Sequence, residues 1–159
     1  MESMEKRILV DMSATLIHHG HIRLLKKASE LGRVIVALTT DDEIQTKKGY
    51  TAELNYAERK EILESIRYVD EVIPCNWLID NDFLIEHNID YLVHGCDNAN
   101  HIPEHKLVIF PRTDGISSSD LRERVLDSLV SMNLSGKKGP SDKIAHMLIT
   151  AIKNEFKLD

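Results

Sequence analysis

Five short apolar runs rich in β-branched residues alternate along this chain with longer stretches of helical periodicity. The runs are Arg7–Val10, Arg33–Leu38, Tyr68–Ile73, Tyr91–Val93 and Lys106–Phe110. The helical stretches are Gly20–Leu31, Asn55–Ile66, Leu78–His87 and Ser118–Met132. A strand that is apolar at nearly every position needs cover on both faces, and strands joined by helices pair in parallel. The order predicts an α/β domain, with helices such as the one carrying Ile22, Leu24, Leu25, Ala28 and Leu31 laid over a parallel sheet.

The 159 residues suffice for one compact domain and one active site. That domain is expected over residues 1–134, followed by a connector and an amphipathic helix over 135–159. Ser135-Gly136-Lys137-Lys138-Gly139-Pro140 is rich in helix breakers, Ser141 is a candidate cap, and Ile144, Met147, Leu148, Ala151, Ile152 and Phe156 share a face. Such a stripe packs against its own domain or a second subunit; an active-site lid is the other reading.

The formal charge of −6 argues against a general nucleic-acid or anionic-membrane surface, so an anionic substrate must meet cations gathered locally. Cys75 and Cys96 form no C-x-x-C pair and read as free thiols of a reducing compartment. The charged start leading into Ile8-Leu9-Val10 has neither a signal-peptide pattern nor a membrane span, so a cytoplasmic protein is expected.

Two segments carry chemistry. His18-His19-Gly20-His21 sits where the first strand gives way to a helix. Open α/β sheets bind ligands at the carboxyl ends of their strands, and helix starts offer N–H groups to phosphate. Two imidazoles three residues apart, with Gly20 leaving space for backbone approach, are suited to a triphosphate; metal binding or accident among eight histidines fits the same spacing. The second segment, Arg112-Thr113-Asp114-Gly115-Ile116-Ser117-Ser118-Ser119-Asp120, follows the last expected strand. It reads as a phosphate-binding helix start beside a bidentate arginine, or as an ordinary helix N-cap.

Together the two segments resemble the cytidylyltransferase family of H-x-G-H nucleotidyltransferases, whose second hallmark stands here as Arg-Thr-Asp-Gly-Ile-Ser-Ser-Ser. The resemblance runs from about Arg7 to Val125 and includes Glu58-Arg59-Lys60, the stretch from Ile66 to Pro74, and His94-Gly95-Cys96-Asp97. Over the second half it is similar to bacterial glycerol-3-phosphate cytidylyltransferases. It implies a Rossmann-like five-stranded parallel sheet of order 3-2-1-4-5 with helices on both faces, a homodimer, and transfer of CMP from CTP to a small acceptor with release of pyrophosphate. Mg²⁺ would be carried by the nucleotide phosphates, with no metal ligand assigned to the chain.

The resemblance implies roles by position. His18 and His21 hold the triphosphate and stabilise the transition state; Ser13 meets phosphate; Lys47 reaches the α-phosphate and acceptor; Arg112, Thr113, Ser117 and Ser118 contact the triphosphate; Asp97 lies at the base pocket. Each has a plainer reading. Lys47-Lys48 beside Gly49 is a mobile cationic loop or a solvated basic turn, Asp97 is a turn cap, and Arg59 is a structural or acceptor-side arginine or half of a helix-surface ion pair. His94 and His101 read as ordinary polar residues, and the lone Trp77 as a core or dimer contact ahead of a ligand stack.

The pattern breaks at the first loop, where the family's usual glycine and aspartate are Met12 and Thr15, and where the usual second lysine is Gly49, with Lys48 as a substitute. The Met-Ser-Ala-x-Leu-Ile-His opening is similar to cytidylyltransferase modules of phosphonate pathways, which moves the expected acceptor from glycerol phosphate towards a phosphonate. Glycerol 3-phosphate as acceptor, an adenylyltransferase, and a nucleotide-binding module without turnover remain the alternatives.

Overall fold

The computed structural model describes residues 5–135 and 140–155, which fall in two compact units, Met1–Asp114 and Gly115–Asp159. The first contains the sheet. Strands β1 (Arg7–Met12), β2 (Arg33–Thr39), β3 (Glu71–Cys75), β4 (Tyr91–His94) and β5 (Leu107–Ile109) are all parallel, in the order β3-β2-β1-β4-β5. The chain reverses direction across the sheet between β1 and β4, and the crevice at their carboxyl ends is where such sheets receive ligands.

Strand alternation builds two cores. Ile8 and Val10 of β1 and Val34, Val36 and Leu38 of β2 face Leu25 and Ala28 of helix α1 (His19–Ser29) and Leu63 of helix α3 (Tyr56–Glu64). Leu9, Ile35, Ala37 and Leu92 point the other way, onto Ile79 and onto Leu84 of helix α4 (Asn81–Glu86). All these side chains are buried. The expected two-faced α/β sheet of order 3-2-1-4-5 is present.

Three boundaries differ from expectation. The third strand begins at Glu71, because Tyr68 and Val69 pack on the core from a turn and Asp70 spends its carboxylate on the Val34 N–H. The fourth helix begins at Asn81, where Asp80 caps the Phe83 N–H. A helix α2 (Asp41–Lys48) stands where no helical period is legible: it buries only Ile44 and relies on acidic residues in its first turn and lysines in its last. Lys47 and Lys48 therefore close a helix capped by left-handed Gly49 rather than forming a mobile loop.

In the second unit, α5 (Ser118–Ser135) packs on α6 (Pro140–Glu155), and Lys153 donates to Asp127. Met147, Leu148 and Ile152 of the expected stripe are exposed, while residues 136–139 of the connector and Phe156 lie outside the described residues.

Gly32 turns α1 into β2 with φ +157°, and a Cβ there would stand 2.3 Å from the Lys6 carbonyl oxygen. The Arg33 N–H bonds that same oxygen, so neither side can give way without losing the entry to the sheet. Gly32→Ala is expected to lower unfolding free energy by about 2 kcal/mol or more in urea titration. A change under about 0.5 kcal/mol would contradict this account of the turn.

Candidate active site

The start of α1 caps itself with its own histidines. His18 has extended backbone and is the N-cap; its Nδ1 accepts the Gly20 N–H at 3.1 Å, and His21 Nδ1 accepts the His18 N–H at 3.2 Å. This is a capping box in which imidazole stands for both hydroxyl and carboxylate. The rings lie 3.9 Å apart between centroids, tilted by 37°. A ring nitrogen that accepts an N–H must keep its lone pair, so each neutral ring carries its proton on Nε2. The backbone thus fixes the tautomer of both histidines and gives each an Nε2–H donor. Gly20, expected to leave space for backbone approach, has its own N–H engaged by His18.

Burial, together with the electrostatic influence of His18 and Arg112, holds His21 down at about 4, so it is a neutral donor at physiological pH. Lys48 adds to that effect, and its Nζ stands 5.5 Å from the Trp77 ring centroid. Trp77 is half-buried, and its backbone N–H donates to Glu43 of α2.

Beyond β5, Arg112 donates from Nη1 to Asp97 Oδ2 at 3.0 Å. Both side chains are more than half exposed, so the pair is weak and exchangeable. Gly95 makes the approach possible: a Cβ there would lie 2.8 Å from Asp97 Oδ1 and 3.4 Å from Arg112 Cγ. Thr113 is half-buried beside Arg112, Ser13 follows β1, and Lys47 is exposed at the end of α2. Ser117 and Ser118 belong to the second unit, where Ser117 Oγ accepts the Asp120 N–H at 3.0 Å as an ordinary N-cap of α5. Arg59 is fully buried, so the surface ion pair is excluded for it.

A polar cluster absent from the expected site lies at the carboxyl ends of β1 and β4. Asp11 is nearly buried, which raises its pKa, and its Oδ2 accepts from Asn100 Nδ2 at 2.9 Å. Asn100 Oδ1 in turn accepts the Ile79 N–H. Asp11 Oδ1 is buried with no hydrogen-bond partner among the described residues; His94 Nε2 stands 3.5 Å away, beyond a good bond. The other nitrogen of His94 is 3.0 Å from the Gly95 carbonyl and 3.8 Å from Asp97 Oδ1. The sequence signal was a carboxylate closing the apolar run Ile8-Leu9-Val10-Asp11; it passes unnoticed because strands often end on a polar residue. Cys75 is buried, with its thiol pushed up to about 12 by desolvation, and Cys96 is exposed; both are free.

The cytidylyltransferase-like family model matches residues 13–124. The chain is 39% identical over 125 residues to the glycerol-3-phosphate cytidylyltransferase of Bacillus subtilis, covering 76% of this chain and 97% of that one. It is 34% identical over 134 residues to human choline-phosphate cytidylyltransferase A, covering 76% of this chain and 36% of that one. A Thermoplasma volcanium lipopolysaccharide core biosynthesis protein shares the fold, with TM-score 0.57 and 20% identity over 69% of this chain and 99% of its own.

The His21 shift has a defined sign. Below the ordinary histidine pKa of 6.5 the unfolded chain takes up a proton that folded His21 refuses until about 4, so acidification favours unfolding. The loss approaches about 1.4 kcal/mol per pH unit across that window. His21→Gln keeps an acceptor for the His18 N–H but cannot titrate. Urea unfolding at pH 7.5 and 4.5 should show the wild type losing about 2 kcal/mol more than this variant; equal losses would refute the neutral His21.

Proposed function

The chain belongs to the cytidylyltransferase-like family and is a nucleotidyltransferase; on that premise we propose that it transfers CMP from CTP to a small phosphonate, most favourably one bearing a primary amine. The observation that carries the transfer chemistry is the pair of Nε2–H donors fixed by the backbone at the start of α1. An acceptor oxygen attacks the α-phosphorus in line, the bond to the bridging oxygen breaks, and pyrophosphate leaves with the bonding pair. Donors fixed in advance on that growing charge lower the barrier without reorganising.

Arg112 exchanges Asp97 for the triphosphate, which frees the Asp97 carboxylate to accept from the cytosine amine; uracil offers a carbonyl there and is disfavoured. Lys47 reaches the α-phosphate and acceptor, Ser13 meets phosphate at the end of β1, and Thr113 contacts the triphosphate beside Arg112. Mg²⁺ accompanies the nucleotide on its phosphates. Among the described residues no group of three or more His, Cys, Asp or Glu side chains is arranged to hold a metal. The reaction needs no general base, since a phosphonate dianion is already a nucleophile. No helix among the described residues is long and apolar enough to cross a membrane.

Asp11 supports the acceptor assignment. A nearly buried carboxylate oxygen with no hydrogen-bond donor among the described residues is costly, and a primary ammonium supplies both charge and N–H. Glycerol phosphate brings only hydroxyls, and a quaternary ammonium has no N–H to give. The phosphonate-type opening from Met12 to Thr15 points the same way.

His18→Asn retains a good N-cap while removing the Nε2–H donor. It is expected to keep its thermal midpoint and lose turnover by about 100-fold or more; near-normal turnover in the folded variant would remove His18 from the mechanism.

For the acceptor, kcat/KM is compared for 2-aminoethylphosphonate, 2-hydroxyethylphosphonate, glycerol 3-phosphate and phosphocholine at fixed CTP and Mg²⁺, by pyrophosphate release. 2-Aminoethylphosphonate should lead, and Asp11→Asn should reduce its advantage over 2-hydroxyethylphosphonate by about tenfold. If either phosphoalcohol exceeds both phosphonates tenfold, the phosphonate assignment fails and cytidylyl transfer stands.

A further inference from the structure

Arg59 of α3 is completely buried, an unusual place for a guanidinium. Its Nη1 donates to two backbone carbonyls at once, Ser13 at 2.6 Å and Thr39 at 2.9 Å. Nη2 donates to Asp41 Oδ1 at 2.6 Å and Nε to the Leu54 carbonyl at 3.1 Å. Asp41 closes the circuit, its other oxygen accepting the Tyr56 N–H at 2.8 Å.

The three carbonyls come from three separate places. Met12 and Leu38 form the last pair between β1 and β2, so Ser13 and Thr39 are where these two strands part, while Thr39 still pairs with Cys75 of β3. The next residue after Ser13, Ala14, is buried with φ +47°, a left-handed conformation that a residue with a Cβ adopts only under constraint. From that turn the chain runs to His18. On the other side, Asp41 is the first residue of α2, whose last turn carries Lys47 and Lys48.

We propose that Arg59 is a positioning residue for nucleotidyl transfer: by clamping the Ser13 and Thr39 carbonyls and Asp41 together, it holds the Ala14 turn left-handed and sets the histidine pair and the lysine helix in one fixed relation. This rests on the transfer reaction proposed above. A lysine cannot take its place, because an ammonium has three donors on one atom, whereas four N–H vectors here point to four acceptors around a plane. Fixed placement of charges that act in the transition state appears in kcat more than in substrate affinity.

The test uses the full chain with Arg59→Met, Arg59→Lys, Ala14→Gly and the double variant Arg59→Met/Ala14→Gly, assayed at a temperature where circular dichroism shows each to be folded. Both Arg59 variants should lose at least tenfold in kcat while the KM for CTP changes less than threefold. Ala14→Gly alone should leave kcat unchanged, since glycine holds the left-handed turn without strain. In the double variant it should restore at least threefold of the loss. His21, followed by NMR, should titrate near 4 in the wild type and at higher pH in the Arg59 variants, because loosening the segment that leads into His18, its ring partner, admits water to the His21 ring. Should Arg59→Met not fold, Arg59→Lys and its combination with Ala14→Gly carry the same comparison. A folded Arg59→Lys with kcat within threefold of the wild type, or a loss in kcat untouched by Ala14→Gly with His21 still titrating near 4, overturns the proposal. The His21 titration needs no turnover, so a wild type that releases no pyrophosphate would count against the transfer reaction and leave the role of Arg59 to be decided by NMR.

Discussion

A buried positive charge must be answered, and in this fold the answer to Arg59 determines much of what surrounds it. Removing a guanidinium from water costs several kcal/mol unless its donors are met. Here one half-exposed carboxylate, Asp41, supplies the counter-charge and three peptide carbonyls take the remaining bonds. The requirement acts in both directions. The arginine is tolerable only if the ends of β1 and β2, the start of α2 and the approach to α3 all converge on it. Three of those segments bring a peptide carbonyl, those of Ser13, Thr39 and Leu54, the start of α2 brings the Asp41 carboxylate, and one planar fork serves all four acceptors.

The same economy of local bonding governs the start of α1. A helix N-terminus has orphan N–H groups, and the usual caps are hydroxyls or carboxylates that have no further chemistry to offer. Using imidazoles instead leaves a second nitrogen on each ring, and because the capping nitrogen must accept, the other must donate. Fold stability and donor direction are therefore fixed by the same two hydrogen bonds. Burial reinforces the arrangement by keeping His21 neutral, so that it offers a hydrogen-bond donor without adding a full charge that the protein would have to accommodate.

Charge is handled differently at the far side of the crevice. Arg112 and Asp97 form an exposed pair that a ligand can separate at little cost. Asp11 is nearly buried, has among the described residues no hydrogen-bond donor for one oxygen, with His94 Nε2 3.5 Å from it, and is held in place by Asn100. An exchangeable pair suits a triphosphate that must arrive and leave as pyrophosphate. A buried, unsatisfied carboxylate suits discrimination, because a ligand that fails to supply the missing donor leaves the whole penalty in place.

The sequence by itself determined the sheet, its two-faced cover and the pairing of His18 with His21, because these follow from local periodicity and from spacing along one helix turn. It also determined the family, since the two motifs are contiguous in the chain. It could not show α2, which buries a single side chain, nor the true start of β3, where the apolar Tyr68 and Val69 imitate a strand from a turn. Only the tertiary structure decided that Arg59 is an internal clamp, that Lys48 rests by Trp77, and that Asp11, His94 and Asn100 meet, because each depends on contacts between residues far apart in the chain. A buried guanidinium and a surface one have the same sequence; burial is a property of what the rest of the chain places around them.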